Sequence, residues 1–307
     1  MSPIRVATRG SLLALTQTGW VIDRLKEANP GLEFETQVFK TVGDRVLDRA
    51  LSQIGDKGLF TKELEEALLD GRADLAVHSL KDLPSDLPPG LVLGAVPERE
   101  DPRDVVITRD GTTFADLPPG SRVGTSSLRR VAQLKARRPD LTFVPIRGNV
   151  DTRLRKLGEG QVDALVMAAA GLHRAGFADR ITEYLDPEDC LPAPGQGALG
   201  IEIRADDARI GQVVGRIHHP ETALAVMAER AVLARLEGGC QVPIAAHAVV
   251  EDGWLQVEGL IAAPDGSRVI RHAAEGDAGR ARSLGTQVAD WLLDHGGREI
   301  LNAALGR

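Results

Sequence analysis

The 307-residue chain has two cysteines, one tyrosine and an aromatic content of 3%. Cys190 and Cys240 lack CxxC spacing, which excludes a disulfide framework or zinc site built from them; if either matters, it acts alone. So few rings leave little material for a base-stacking platform, and a formal net charge of −7 opposes general attraction to nucleic acid. Met1–Ala7 holds no apolar core of signal-peptide length, and the apolar run from Ala164 to Leu172 is too short to span a bilayer. The expectation is a cytoplasmic protein with neither membrane nor nucleic-acid partners. Seven histidines without ligand spacing predict no metal, and His218-His219 before Pro220 reads as a helix cap. What is present is ordinary globular material, 43% hydrophobic and 26% charged, long enough for two or three domains.

Ile4–Ala7 reads as a strand, and Ser11 caps the apolar-periodic run Leu12, Leu15, Gly19, Ile22, Leu25, which ends at Asn29-Pro30-Gly31. Leu32–Lys40 suits a second strand, Thr61 opens a helix with acidic residues in its first turn, and Leu75–Val77 is an apolar strand ending in His78-Ser79-Leu80-Lys81-Asp82. After Pro102 the pattern restarts: Val123–Leu128 echoes Val6–Leu12, and Gly160–Asp163 before Ala164 echoes Gly71–Asp74 before Leu75. Strands alternating with helices predict two α/β lobes with mixed, mostly parallel sheets. From Ala245 the segments Ala246–Val250, Trp254–Ala262 and Arg268–Ala273 are separated by Glu251-Asp252-Gly253 and Pro264-Asp265-Gly266, which predicts an antiparallel three-stranded meander. A helix over Ala278–Leu293, stopped by Gly296-Gly297, makes this a smaller α+β unit. The expected domains are 1–97 with 198–215, 103–191, and 220–307.

Charge is unevenly placed. Residues 122–156 carry ten basic side chains against Asp140 and Asp151, a local net of +8 that leaves −15 for the rest. Nearly all are arginines, the side chain suited to bidentate recognition of carboxylate or phosphate. Thr125-Ser126-Ser127 lies between a strand and a helix, where N–H groups, hydroxyls and the positive dipole end form an anion site. Arg129 and Arg130 fall in that helix's first turn, Arg147-Gly148-Asn149 follows the strand Thr142–Ile146, and Arg153 is one turn into the next helix. Strand carboxyl ends of a parallel sheet share one mouth, which Arg9, Ser11 and Lys81 also approach. Arg137, Arg138 and Arg155 read instead as solvated helix-face charges. Asp82 is the best carboxylate candidate, since a neighbouring Lys81 would keep it ionised beside a developing cation. Cys240 sits in Leu236–Pro243, where Gly238-Gly239 allows a ligand to approach the backbone; Cys190 fits a small buried hydrophobe. This reasoning reaches a two-lobed polyanion binder and names no reaction.

In order along the chain, Ala7-Thr8-Arg9 with Ser11, Lys57–Phe60 with Lys62–Glu65, Ala76–Asp82, Arg99–Asp104, Gly124–Arg130, Arg147-Gly148-Asn149, Pro194–Gly197 and Leu236–Pro243 resemble the porphobilinogen deaminase (hydroxymethylbilane synthase) family over essentially the whole length. The resemblance implies two lobes like those of periplasmic binding proteins plus a C-terminal α+β domain. It implies a monomeric transferase of tetrapyrrole biosynthesis that condenses four porphobilinogen molecules head to tail, releasing ammonia and then hydroxymethylbilane. It implies a dipyrromethane cofactor in thioether linkage to Cys240, catalysis by Asp82, and cofactor contacts from Lys81, Asp82, Thr125, Ser127, Arg129, Arg130 and Gly148. Substrate contacts fall on Arg9, Ser11, Arg147 and Arg153, and Lys57 and Phe60 belong to a loop that could close over the cleft. The alternative from another class is a non-catalytic two-lobed binder of small polycarboxylates, for which the Gly-Gly-Cys240 loop would have no use.

Overall fold

The computed structural model describes residues 2–41, 43, 58–236 and 242–305. Its first sheet has the order β2 (Phe34–Phe39), β1 (Ile4–Arg9), β3 (Leu75–Ser79), β10 (Leu199–Arg204), β4 (Leu91–Ala95), and only β10 runs against its neighbours. The second repeats the plan as β7 (Thr142–Val144), β6 (Arg122–Gly124), β8 (Ala164–Ala168), β5 (Asp104–Thr108), β9 (Glu183–Tyr184), with β5 reversed. The echoes in the sequence therefore mark equivalent strands. They share one register lock: Asp74 accepts the Arg5 backbone N–H at 2.8 Å, and Asp163 accepts that of Arg122 at 2.8 Å.

Helix α1 (Leu12–Ala28) starts where Ser11 Oγ accepts the Ala14 N–H at 3.2 Å, and it buries Ala14, Gln17, Thr18, Val21, Ile22 and Leu25 against the first sheet. The fold class matches the expectation from sequence: two mixed α/β sheets and a third, antiparallel sheet of β11 (Ile244–Glu251), β12 (Trp254–Ala262) and β13 (Val269–Asp277). Asp252 and Gly253, both at positive φ, close the β11–β12 hairpin. The long helix Pro220–Arg235, capped by His219 as expected, packs on this sheet beside Ala281–Leu292. At their crossing a Cβ on Gly285 would lie 2.1 Å from Ala228 O, so the two backbones touch and only glycine fits. Gly296-Gly297 does not end the chain's helical structure as expected. Gly296 at φ 106° breaks the helix within a wide turn over Leu293–Gly297, and a further helix, Arg298–Leu305, begins at once.

Two crossover segments join the first two sheets, and they run in contact. Glu100 N donates to Gly197 O, and a Cβ on Gly197 would lie 2.3 Å from Glu100 O. Glu229, fully buried on the helix Pro220–Arg235, ties both crossovers to the third sheet. It accepts from Arg99 at 2.6 Å, from Gly195 N at 2.6 Å and from Ala248 N at 2.8 Å. Burial alone would raise its carboxyl, but Arg99 and His247 outweigh burial and hold it down at about 2.

Candidate active site

The carboxyl ends of β1, β3, β6 and β7 face the junction of the two mixed sheets. Directly after β3, a single turn of 3-10 helix, Leu80–Asp82, presents Lys81 and Asp82 with both side chains open to solvent. At the opposite side, Ser127 caps the helix Leu128–Arg137 through Arg130 N at 3.5 Å, and Thr125 Oγ1 accepts from Ser127 N at 3.3 Å. Ser126 Oγ bonds both Ile146 O and Ile146 N, which holds the segments that follow β6 and β7 together.

Arg129 and Arg130 turn inward and converge on Asp104, the first residue of β5. Arg129 Nη1 lies 2.6 Å from Asp104 Oδ2 and 2.7 Å from Leu191 O; Arg130 reaches Asp104 Oδ1 through Nη2 at 2.7 Å and Nε at 3.0 Å. Burial would raise the Asp104 carboxyl, yet the two guanidiniums keep it far below the usual carboxylate range. The Cys190 thiol donates to Asp104 Oδ2 at 3.3 Å, and burial beside that carboxylate pushes it up to about 12. Cys190 is therefore a buried, protonated thiol, in keeping with its reading as a small buried residue.

Gln196 connects this cluster to the first sheet. Its Nε2 donates to Pro102 O at 2.7 Å and Asp104 Oδ1 at 2.8 Å, which turns Oε1 toward Lys81 Nζ at 3.4 Å. Lys81 is solvent-exposed as a residue, but its ammonium is surrounded by protein. That desolvation, with Arg130 nearby, brings its ammonium down to about 8. Arg153, on the helix Val150–Gly158, donates Nε to Gly148 O at 2.8 Å. Gly148 has φ 118° and would place a Cβ 2.6 Å from Thr152, so glycine is required there. Burial and the charges of Arg130 and Arg147 depress Arg153 to about 10. Arg9, at the end of β1, lays its guanidinium 4.2 Å above the ring of Phe60, while Ser11 caps α1. Lys57 and Cys240 lie outside the described residues.

Arg130 thus lies close enough to both Lys81 and Arg153 to lower their affinity for protons, Arg147 acts on Arg153 in the same way, and Asp82 and Asp104 are the carboxylates that act on Lys81. A cleft whose cations repel one another is complementary to a ligand with several carboxylates. A dipyrromethane group, which is polycarboxylate, fits that donor set.

Several participants were not singled out from sequence. Asp104 and Gln196 act only as partners of residues far away in the chain. Arg174, whose Nη2 donates to Gly197 O at 2.8 Å, is brought to about 10 by burial and holds the second crossover. Arg138 corrects the reading of a solvated charge, since it donates to the carbonyls of Phe114, Ala115 and Leu117 and to Asp140. Arg137 and Arg155 do pair at the surface, with Asp189 and Glu159.

Residues 4–212 match the family model described as "Porphobilinogen deaminase, dipyromethane cofactor binding domain", and residues 223–294 match "Porphobilinogen deaminase, C-terminal domain". The porphobilinogen deaminase of Syntrophobacter fumaroxidans is 54% identical over 298 residues, covering 97% of this chain and 96% of that protein. That of Desulforudis audaxviator is 55% identical over 296 residues, covering 96% of each. With matches of this extent, and a cation-lined cleft suited to polycarboxylates, the chain belongs to the porphobilinogen deaminase family.

Proposed function

We propose that Asp82 is the catalytic carboxylate of a hydroxymethylbilane-forming transferase, acting in a cleft whose cations hold the substrate's carboxylates. The observation that supports this most is that the solvent-open Asp82 stands beside Lys81, at a cleft where Arg130 acts on both Lys81 and Arg153 and Arg147 acts on Arg153. Porphobilinogen carries an acetate and a propionate. Arginine forks, which stay protonated, orient both without competing for the reacting proton. In its acid form Asp82 assists departure of the amine. As a carboxylate it accepts pyrrole N–H bonds and stabilises the methylene-pyrrole cation left behind. When bound, dipyrromethane supplies the pyrrole α-carbon at which condensation starts. Lys81, Arg130 and Gly148, with Thr125 and Ser127 at the helix start, would hold its carboxylates. Arg129 supports them by fixing Asp104, while Arg9, Ser11, Arg147 and Arg153 meet substrate.

In this reading Cys240 is the attachment residue. Cys190 is not, because its thiol is buried and held protonated. Intact-mass analysis of freshly made protein after acid denaturation is expected to show a dipyrromethane adduct that Cys240→Ala lacks and Cys190→Ala retains. An unmodified parent chain would defeat the assignment. Arg153→Leu is expected to raise the KM for porphobilinogen about 10- to 100-fold, the worth of one charged hydrogen bond. An unchanged KM and an unchanged distribution of enzyme-bound pyrrole chains would remove Arg153 from the site.

We further propose that the chain is a cytoplasmic monomer of three domains, 1–97 with 198–215, 103–191 and 220–307. The shared strand order of the first two sheets supports lobes of the periplasmic-binding-protein type.

A further inference from the structure

Asp82 stands on a short turn, and the segment after it, Leu83-Pro84-Ser85, is irregular and contains a proline. A catalytic carboxylate at such a place needs a contact from elsewhere in the fold to fix its position. The third sheet's long helix, Pro220–Arg235, supplies that contact in two ways. Val226 packs with Leu80 and Leu83, the two apolar residues that flank Lys81 and Asp82, together with Val96 and Ala198. One turn further along the same helix face, the Arg230 guanidinium gathers three successive carbonyls: Nη1 donates to Leu83 O at 3.3 Å, and Nη2 to Pro84 O at 2.6 Å and Ser85 O at 2.9 Å.

We infer that Arg230 is a positioning residue for Asp82, fixing the catalytic turn to the helix that leads toward Cys240. The inference rests on the catalytic reading of Asp82. Arg235 ends the helix five residues before Cys240, so the element that anchors the turn is also the one from which the primer-bearing segment departs. Arginine is suited to this, because a planar fork can serve three carbonyls from one fixed position, whereas a lysine ammonium is a single point on a flexible stem. Asp86 lies near enough to favour the guanidinium's charge, partly offsetting the burial and the neighbouring Arg282 that lower its proton affinity. Displacing a reacting group by about 1 Å costs on the order of 100-fold in rate, so a loosened turn is expected to show in turnover rather than in substrate affinity.

The experiment compares Arg230→Met, which keeps the alkyl stem but removes the fork, with Arg230→Lys and Asp82→Asn, each with its primer content checked by intact mass. Arg230→Met is expected to lower kcat by about 10- to 100-fold. Its KM for porphobilinogen should stay near the parent's, its primer content should be full, and the acid limb of its pH–rate profile should move. Arg230→Lys should recover part of the kcat. In the Asp82→Asn background the Arg230→Met change should cost little more, because the group it positions is already gone. Parental kcat and pH profile in both Arg230 variants would overturn the inference, as would an equal proportional loss with Asp82 present or replaced. If Arg230→Met does not fold, Arg230→Lys alone and with Asp82→Asn decides by the same comparison. Parental turnover in Asp82→Asn would instead sink the catalytic reading on which the inference rests.

Discussion

Asp82→Asn is expected to leave porphobilinogen binding close to the parent's and to lower turnover by about 100- to 10,000-fold, the range for removing a positioned acid–base group. Asparagine keeps the size of the side chain and can still accept one pyrrole N–H. It cannot carry the charge that stabilises a methylene-pyrrole cation, nor deliver a proton to the departing amine. The cations that hold the substrate's carboxylates are untouched by the change, so KM should move little. Steady-state kinetics with porphobilinogen, together with intact mass to confirm full primer loading, would check this. Turnover within a few-fold of the parent, on fully primed protein, would remove Asp82 from the chemistry. A loss of primer as well would show that Asp82 acts in assembly of the cofactor.

Asp104→Asn is expected to be the most damaging single change to the fold among the cleft residues. Asp104 is fully buried and is the shared counter-ion of Arg129 and Arg130, and it also accepts from Gln196 and Cys190. Replacing it leaves two buried guanidiniums without their carboxylate, a type of loss that costs about 3–5 kcal/mol. It also places an amide N–H₂ where donors already converge. Thermal or denaturant unfolding of primed protein would read the loss, and a change under about 1 kcal/mol would show that the cluster contributes little net stability. The parent's acid response depends on the same charge. The folded-state carboxyl lies far below its unfolded value, so its stabilisation is complete above the unfolded value near pH 4 and declines as the solution is acidified below it. In Asp104→Asn that part of the acid dependence should be missing, leaving a flatter stability profile below about pH 4.

The two changes mark the difference between what the local sequence states and what it does not. Local chemistry was legible. Ser11 caps its helix through a bond three residues away, His219 does the same for the helix at Pro220, and the polar triplet before Leu128 opens another. The repeat of strand, turn and helix was legible too, because each copy carries its own apolar strand and its own Asp74- or Asp163-type lock. The strand-end placement of Arg9, Lys81, Asp82 and Arg147, and that of Arg153 in the first turn of the helix after Arg147, results from that repeat. The Gly296-Gly297 stop misled, since one glycine at positive φ interrupts a helix without preventing another from starting at the next residue.

By itself, then, the sequence determined the element types, the duplicated lobe plan and the family, because these depend on period, capping and motifs read within short windows. Only the tertiary structure decided which charges face one another. Arg129 and Arg130 meet an aspartate some twenty-five positions earlier, Gln196 reaches back to Lys81 and Asp104, and Arg230 closes on the backbone beyond Asp82. Such pairings are set by how β5 and β10 thread into the two sheets and where one helix lies against the crossovers. A buried arginine and a solvated one have the same local sequence signature until a distant carboxylate or carbonyl arrives to distinguish them.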